Sequence, residues 1–290
     1  MTRRKKNNVL LIVPVLLLVL IALFFLYSRV CIHEQRANIK KHMNLQEDQK
    51  QDTATKQLDI TDSINISNMI SKEKLLGKIS AVESDKMVIV PDEYASRGNI
   101  YMHAEAFEAF LKMYEDAKKD GINLQIISGF RSFNHQKRIW ENKWNGRQLL
   151  HGNIRATDIA DPNKRALEIL KFSAMPGTSR HHWGTDIDLN SLNNSYFESG
   201  YGKKVYSWLR ANAGKYGFCQ PYTSKGDNRN SGYEEEKWHW SFLPVASGYL
   251  NSYKESVDYS DINGFDGCET ATQLNVIEKY VLSINSECME

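Results

Sequence analysis

Residues 179–189 read Ser179-Arg180-His181-His182-Trp183-Gly184-Thr185-Asp186-Ile187-Asp188-Leu189. Before Gly184 stand two adjacent imidazoles, in a chain with only 8 histidines. After it, acids and aliphatic residues alternate, the pattern of a strand with one apolar face. In such a strand Asp186 and Asp188 share the other face. Further along, Glu234-Glu235-Glu236-Lys237-Trp238-His239-Trp240 again combines acids with an imidazole. Trp238, Trp240 and Phe242 alternate as a second strand. Glu236 and His239 are three apart, so an ideal strand would put them on opposite faces. Both reach one point only if the backbone turns or bulges near Lys237.

Working outward, Ile122, Leu124 and Ile126 alternate as a strand that runs into Ser128-Gly129-Phe130-Arg131. Phe107, Phe110, Leu111 and Tyr114 fall at helical spacing within residues 104–119, and Gly121 ends the run. Residues 134–143 and 164–172 read as helices. Val205, Trp208, Leu209 and Ala213 form another helical stripe, stopped near Gly217. Leu274, Ile277, Val281 and Ile284 predict a C-terminal helix. Strands and helices mix without regular alternation and without a glycine-rich phosphate loop. That predicts an α+β fold rather than a doubly wound sheet. The four cysteines, Cys31, Cys219, Cys268 and Cys288, contain no C-x-x-C pair, which argues against a thiolate zinc knuckle. Their spacing assigns no disulfide.

Catalytic zinc takes three protein ligands from His, Asp, Glu or Cys and keeps one position open for water. The metal acidifies that water and polarises a carbonyl. A carboxylate outside the ligand set then moves the proton. His181, His182, Asp186, Asp188, Glu236 and His239 are all eligible, and spacing does not choose among them. The competing reading is a surface of solvated acids with two core histidines. His135 reads as a helix histidine, solvated or bonded to a neighbour, and Trp183, Trp238 and Trp240 as packing residues.

These segments resemble the VanY-type D-alanyl-D-alanine carboxypeptidases, within the wider group of D-Ala-D-Ala dipeptidases, lysostaphin-like endopeptidases and hedgehog domains. Ser179, His181, Gly184 and Asp188 stand in register with S-x-H-x-x-G-x-A-x-D. Glu236, Trp238 and His239 match E-x-W-H, and Ser128-Gly129-Phe130-Arg131-Ser132 matches S-G-[YF]-R-S, with Gln136 following. The resemblance covers residues 73–245. It implies a single zinc-peptidase domain with a small, mainly antiparallel sheet flanked by helices. It implies zinc ligands His181, Asp188 and His239, a general base Glu236, and Arg131 at the developing oxyanion or holding the substrate's acyl side. It places Ser179 and Gln136 at the substrate. The family's usual alanine is Asp186 here: a competing ligand, a neighbour of a ligand, or a salt-bridge residue. The open position that catalysis needs favours the last two. His182 reads as a structural neighbour. The implied reaction removes the C-terminal D-alanine from peptidoglycan stem peptides. An L,D-carboxypeptidase or an endopeptidase could use the same site, and a catalytically silent wall-binding module could keep the fold alone.

The N-terminal part has a different character. Residues 1–29 contain Arg3, Arg4, Lys5, Lys6 and Arg29 and no acid. The formal net charge of +2 comes from 37 basic and 35 acidic residues, so the remainder carries 32 against 35, or −3. Neither part offers the basic face that nucleic acid requires. Residues 9–27 carry no charge, and at about 1.5 Å per residue they span roughly 28 Å, near the thickness of a bilayer core. A cleaved signal peptide competes with this reading. Its apolar region is usually shorter, and the exit Tyr27-Ser28-Arg29-Val30-Cys31 offers no small-x-small site. The expectation is a basic segment 1–8, an uncleaved transmembrane anchor 9–27 and a polar stalk 28–72. Residues 73–290 then form one catalytic domain, with a motif-bearing core 73–245 and a helical extension 246–290. The charge asymmetry leans towards an N-terminus inside the cytoplasmic membrane. The implied peptidoglycan substrate puts the domain outside.

Overall fold

Two short antiparallel sheets organise the helices. The structure, a computed structural model, describes residues 70–82, 84–226 and 228–289, which belong to a unit clustering as Ile70–Glu290. The expected anchor 9–27, the stalk 28–72 up to residue 69, and Cys31 lie outside the described residues. Among the described residues no helix is long and apolar enough to cross a membrane.

The chain opens with α1, Lys72–Leu75, capped by Ser71. Strands β1 (Met87–Ile89) and β2 (Tyr101–His103) pair antiparallel. Helix α2, Ala104–Lys119, follows and buries Ala106, Phe110, Met113 and Ala117. That stripe is rotated slightly from the predicted one, because Phe107 and Tyr114 pack on Tyr94 at the edge of the core. Next come β3 (Ile126–Ser128), α3 (Phe133–Trp144) and α4 (Pro162–Ile169). Helix α4 starts on proline behind an Asp161 cap, a strong start signal. Strand β4 is Asp186–Leu189, α5 is Gly200–Asn212, β5 is Phe218–Cys219 and β6 is His239–Phe242. Helix α6, Leu243–Ser256, leads to the C-terminal segment.

The main sheet is antiparallel, in the order β3-β4-β6-β5. Strands β4 and β6 are central, and all four residues of each are buried. Their two faces differ. Ile187, Leu189, Trp240 and Phe242 pack into a core with Phe110 and Met113 of α2 and Val205 and Leu209 of α5. Each such side chain contributes about 1.5–3 kcal/mol on burial. Asp186, Asp188, His239 and Ser241 occupy the opposite face. An alternating strand usually wets its polar face; here that face is enclosed and holds the candidate site.

The C-terminal segment departs from the single helix predicted. Asn275 takes a left-handed conformation, φ 50°, which ends the short α7, Thr270–Gln273. A wide π turn, Ile277–Val281, follows. The segment still buries Val276, Ile277, Val281 and Ile284 against Trp140, Trp183 and Tyr253. Cys288 is disulfide-bonded to Cys219 on β5, with Cα atoms 5.6 Å apart, and Cys268 has no disulfide partner among the described residues.

Candidate metal centre

The register of β4 and β6 sets Asp188 directly opposite His239. His181 arrives from a tight turn, Arg180–Trp183, that ends at Gly184 with φ 71°. The left-handed φ at Gly184 favours glycine, and an added Cβ would also press on the flexible end of Met87, which would have to shift. The three residues offer ligand atoms that all lie within 4.8 Å of one another, and all three are buried.

Neighbours fix which atoms face inward. His181 Nδ1 donates to the Gly129 carbonyl at 2.8 Å, which leaves Nε2 towards the cluster. His239 Nε2 lies 2.8 Å from Asp186 Oδ2, and its Nδ1 lies 3.1 Å from Asp188 Oδ1. Two inward imidazole nitrogens and a carboxylate, each held by an outer partner, fit a zinc-type ion. Burial works against charge on both rings. Arg131 adds to this at His181, whose pKa is lowered. At His239 the two carboxylates override burial and push the pKa up to about 9. Asp188 is held well below the usual range despite burial, chiefly by His181 and Arg131.

Glu236 sits where β6 begins. Residues 237–238 turn, and the His239 amide donates to the Glu236 carbonyl at 3.2 Å. The turn expected near Lys237 thus brings Glu236 Oε2 to 3.6 Å from His239 Nδ1. Burial pushes the Glu236 carboxyl up to about 7. Arg131 Nη2 donates to Asp188 Oδ2 at 2.6 Å and lies 3.0 Å from His181 Nε2, so a fixed positive charge stands at the cluster. Its Nε donates to Ser128 Oγ at 2.9 Å. Ser179 and Arg131 both line a cavity of about 770 Å³, together with Asp188, Glu236 and His239.

Gln136 is placed differently from the substrate contact expected of it. It is fully buried, its Nε2 donates to the Ala174 carbonyl at 2.8 Å, and its Oε1 accepts from Arg131 Nη1 at 3.4 Å. It is not among the residues lining the cavity, and it serves the site through Arg131. His182 is structural: Nδ1 donates to the Arg131 carbonyl at 2.6 Å and Nε2 accepts from the Gly177 amide at 3.0 Å. Burial takes its pKa down to about 3.

Asp186 is resolved as a support. Oδ1 accepts from Thr185 Oγ1 at 2.9 Å and Ser241 Oγ at 2.8 Å; Oδ2 accepts from Arg180 Nε at 3.0 Å and from His239 Nε2. Four partners leave it no lone pair for a metal. Burial alone would raise its pKa, but Arg180 and His239 draw it below the carboxylate range. Arg180, missed by sequence reasoning, was findable: an acid on a buried strand demands a partner.

A family model described as VanY, D-alanyl-D-alanine carboxypeptidase, matches residues 99–245, just over half of the chain. YodJ of Bacillus subtilis is 30% identical over 162 residues, 54% of this chain and 53% of that protein. A D-alanyl-D-alanine carboxypeptidase of Enterococcus faecalis is 25% identical over 135 residues, 47% of this chain and 46% of the relative. Among solved structures, VanYB in complex with D-alanine-D-alanine aligns with a TM-score of 0.44 at 20% identity, covering 61% of this chain and 87% of that one. The chain spans about half the length of the curated relatives it matches.

Proposed function

Because the chain belongs to the VanY family of D-alanyl-D-alanine carboxypeptidases, we propose that it is a zinc-dependent D,D-carboxypeptidase acting on peptidoglycan stem peptides. One observation supports this most. A buried carboxylate, Glu236, stands beside three clustered metal-ligand residues on the wall of one cavity.

A zinc ion held by His181 Nε2, Asp188 and His239 Nδ1 would polarise the scissile carbonyl and acidify the attacking water. Glu236, with a carboxyl near neutrality, takes the water's proton and passes it to the departing amine of D-alanine. Arg131 faces the carbonyl oxygen as negative charge grows there, held in place by Ser128, Gln136 and Asp188. Ser179 binds the peptide near its C-terminal carboxylate. Asp186 holds His239 in the orientation that turns Nδ1 inward.

The catalytic domain is assigned to the outer side of a cytoplasmic membrane, on one N-terminal span with its N-terminus inside. The uncharged residues 9–27 support this, as does the Cys219–Cys288 disulfide, a bond that persists in oxidising compartments. Metal analysis coupled to product identification on defined tri-, tetra- and pentapeptides tests the function. About one zinc per chain and free D-alanine from the pentapeptide are expected. Release from the tetrapeptide alone would make it an L,D-enzyme. Bound zinc with no hydrolysis would leave a silent wall-binding module.

A further inference from the structure

The family match ends at residue 245, and the chain continues to residue 290. That continuation returns to the site. Three consecutive residues at the end of β5 are each tied to it. Cys219 is bonded to Cys288, the Gln220 carbonyl accepts from Asn285 Nδ2 at 3.4 Å, and the Pro221 carbonyl accepts from the Asn285 amide at 2.9 Å. Asn285 is buried, and its Oδ1 accepts from the Glu287 amide at 3.3 Å. Close by, the Ser286 amide donates to the Asn228 carbonyl at 3.1 Å, and the Tyr280 ring packs edge-on against Tyr233 with centroids 5.1 Å apart.

What these ties hold is the seat of Glu236. Among the described residues of 220–238 there is no helix and no strand, only a bridge between Gly226 and Arg229. Glu236 therefore lies outside the sheet ladder, and side-chain amides hold its backbone instead. The Glu236 amide donates to the Tyr222 carbonyl at 2.9 Å, and its carbonyl accepts from Gln220 Nε2 at 3.2 Å. The same Nε2 reaches the Tyr222 carbonyl at 3.3 Å, while Gln220 Oε1 accepts from the Tyr206 hydroxyl at 2.9 Å. Asn194 grips the other side: its Nδ2 donates to the Glu235 carbonyl at 2.7 Å and its Oδ1 accepts from the Lys237 amide at 3.0 Å. The metal-ligand residues are held differently. Asp188 and His239 are ladder partners, and His181 is fixed by the Gly129 carbonyl. Tyr222 does pack on the His239 ring, centroids 4.8 Å apart, but Asp186 orients that ring as well. Slack in residues 220–222 would thus move the carboxylate and leave the ligand set in place. For a group that must meet a proton at hydrogen-bond distance, a displacement of about 1 Å costs about 100-fold in rate.

Resting on the carboxypeptidase reading and deepening it, we infer that Gln220 and Asn285 are positioning residues for the general base Glu236, and that the C-terminal segment beyond residue 245 completes the active site from behind. Gln220 acts on Glu236 directly. Asn285 acts one step further back, by fixing the backbone on which Gln220 and Tyr222 stand. Asn194 keeps its own grip when either is lost, so each loss is smaller than that of the carboxylate itself.

The test uses the full chain, zinc-loaded, on defined tri-, tetra- and pentapeptides well below the melting temperature, with zinc content and melting temperature measured alongside. Gln220→Leu removes the amide that holds both carbonyls. It should lower kcat by about 30- to 100-fold with KM within about twofold, the mark of a displaced group and not of a lost binding contact. Asn285→Ala should lower kcat by about 10-fold, again with KM and zinc content near those of wild type. Asn285→Asp keeps Oδ1 for the Glu287 amide but loses the donor to Gln220, and it should fall as far. Met113→Ala opens a cavity in the core under α2 and should lower the melting temperature without lowering kcat, which separates position from stability. If Gln220→Leu does not fold, the two Asn285 variants carry the test. Folded variants that keep the wild-type kcat would overturn the inference. So would a loss of zinc in step with activity, which would put the effect on the ligands. In both cases D-alanine release by wild type stands and the peptidase reading survives. No release from any of the peptides by wild type would sink that reading, and the inference with it.

Discussion

The Asp188 end of the β4–β6 ladder opens onto the cavity, and the Asp186 end, one pair further along the same face, does not. Both carboxylates are buried and both touch His239. Around Asp188 stand two imidazoles, one guanidinium and open space. Around Asp186 every lone pair is already taken by Thr185, Ser241, Arg180 and His239. Residue type therefore does not decide which acid can bind a metal. What decides is whether the fold has left that acid's oxygens unspent.

The comparison can be broken from its open end first. Glu236→Gln should lower kcat by about a thousandfold while zinc content stays near one per chain. Equal loss of zinc and activity would make Glu236 a ligand instead of a base. At the closed end, Asp186→Asn should weaken zinc binding by about 10- to 100-fold, measured by competition with a chelator. It should also cost about 3 kcal/mol of stability, because Arg180 is left buried and unpaired. Adding Arg180→Met should restore part of that stability. If Asp186→Asn bound zinc as wild type does and melted at the same temperature, the two ends would not differ as described.

His182 sharpens the contrast with its neighbour His181. Its folded pKa of about 3 lies below the ordinary value of 6.5, so the unfolded chain takes up the proton first as pH falls. This contribution is complete above pH 6.5 and is lost between there and about pH 3, at about 1.4 kcal/mol per pH unit. Denaturant unfolding of wild type and His182→Gln across that window should give a difference curve with this slope, flat above pH 7. The smallest effect is expected of Ser241→Ala. It removes one of the two donors to Asp186 Oδ1 and also the acceptor of Arg180 Nη2, and should cost about 2 kcal/mol with zinc stoichiometry unchanged.

Much of this contrast was legible in the sequence, and its limits are physical. Ser179, His181, Asp188, Glu236 and His239 could be singled out because ordered motifs carry them. The turn at residues 237–238 was foreseeable, since a separation of three is incompatible with one strand face. The period-2 burial of Ile122, Leu124, Ile126 and Ser128 was also readable, although only Ile126–Ser128 pairs as a strand. The partner of Asp186 was not chosen, because Arg180 reaches it by a turn that closes on the left-handed Gly184. The last helix was over-read: apolar spacing continues through Asn275, but the backbone does not.

The Cys219–Cys288 bond closes a covalent ring across a separation of 69 residues, and the ring contains Glu236 and His239 but not His181, Asp188 or Arg131. The site is thus stitched from a looped half and an open half. The exposed turn around Lys225 lies inside the loop. A single protease cut there leaves both fragments joined through sulfur, with the His239 strand still hydrogen-bonded to its neighbours. Such a nick would be silent on a non-reducing gel and visible only after a thiol is added.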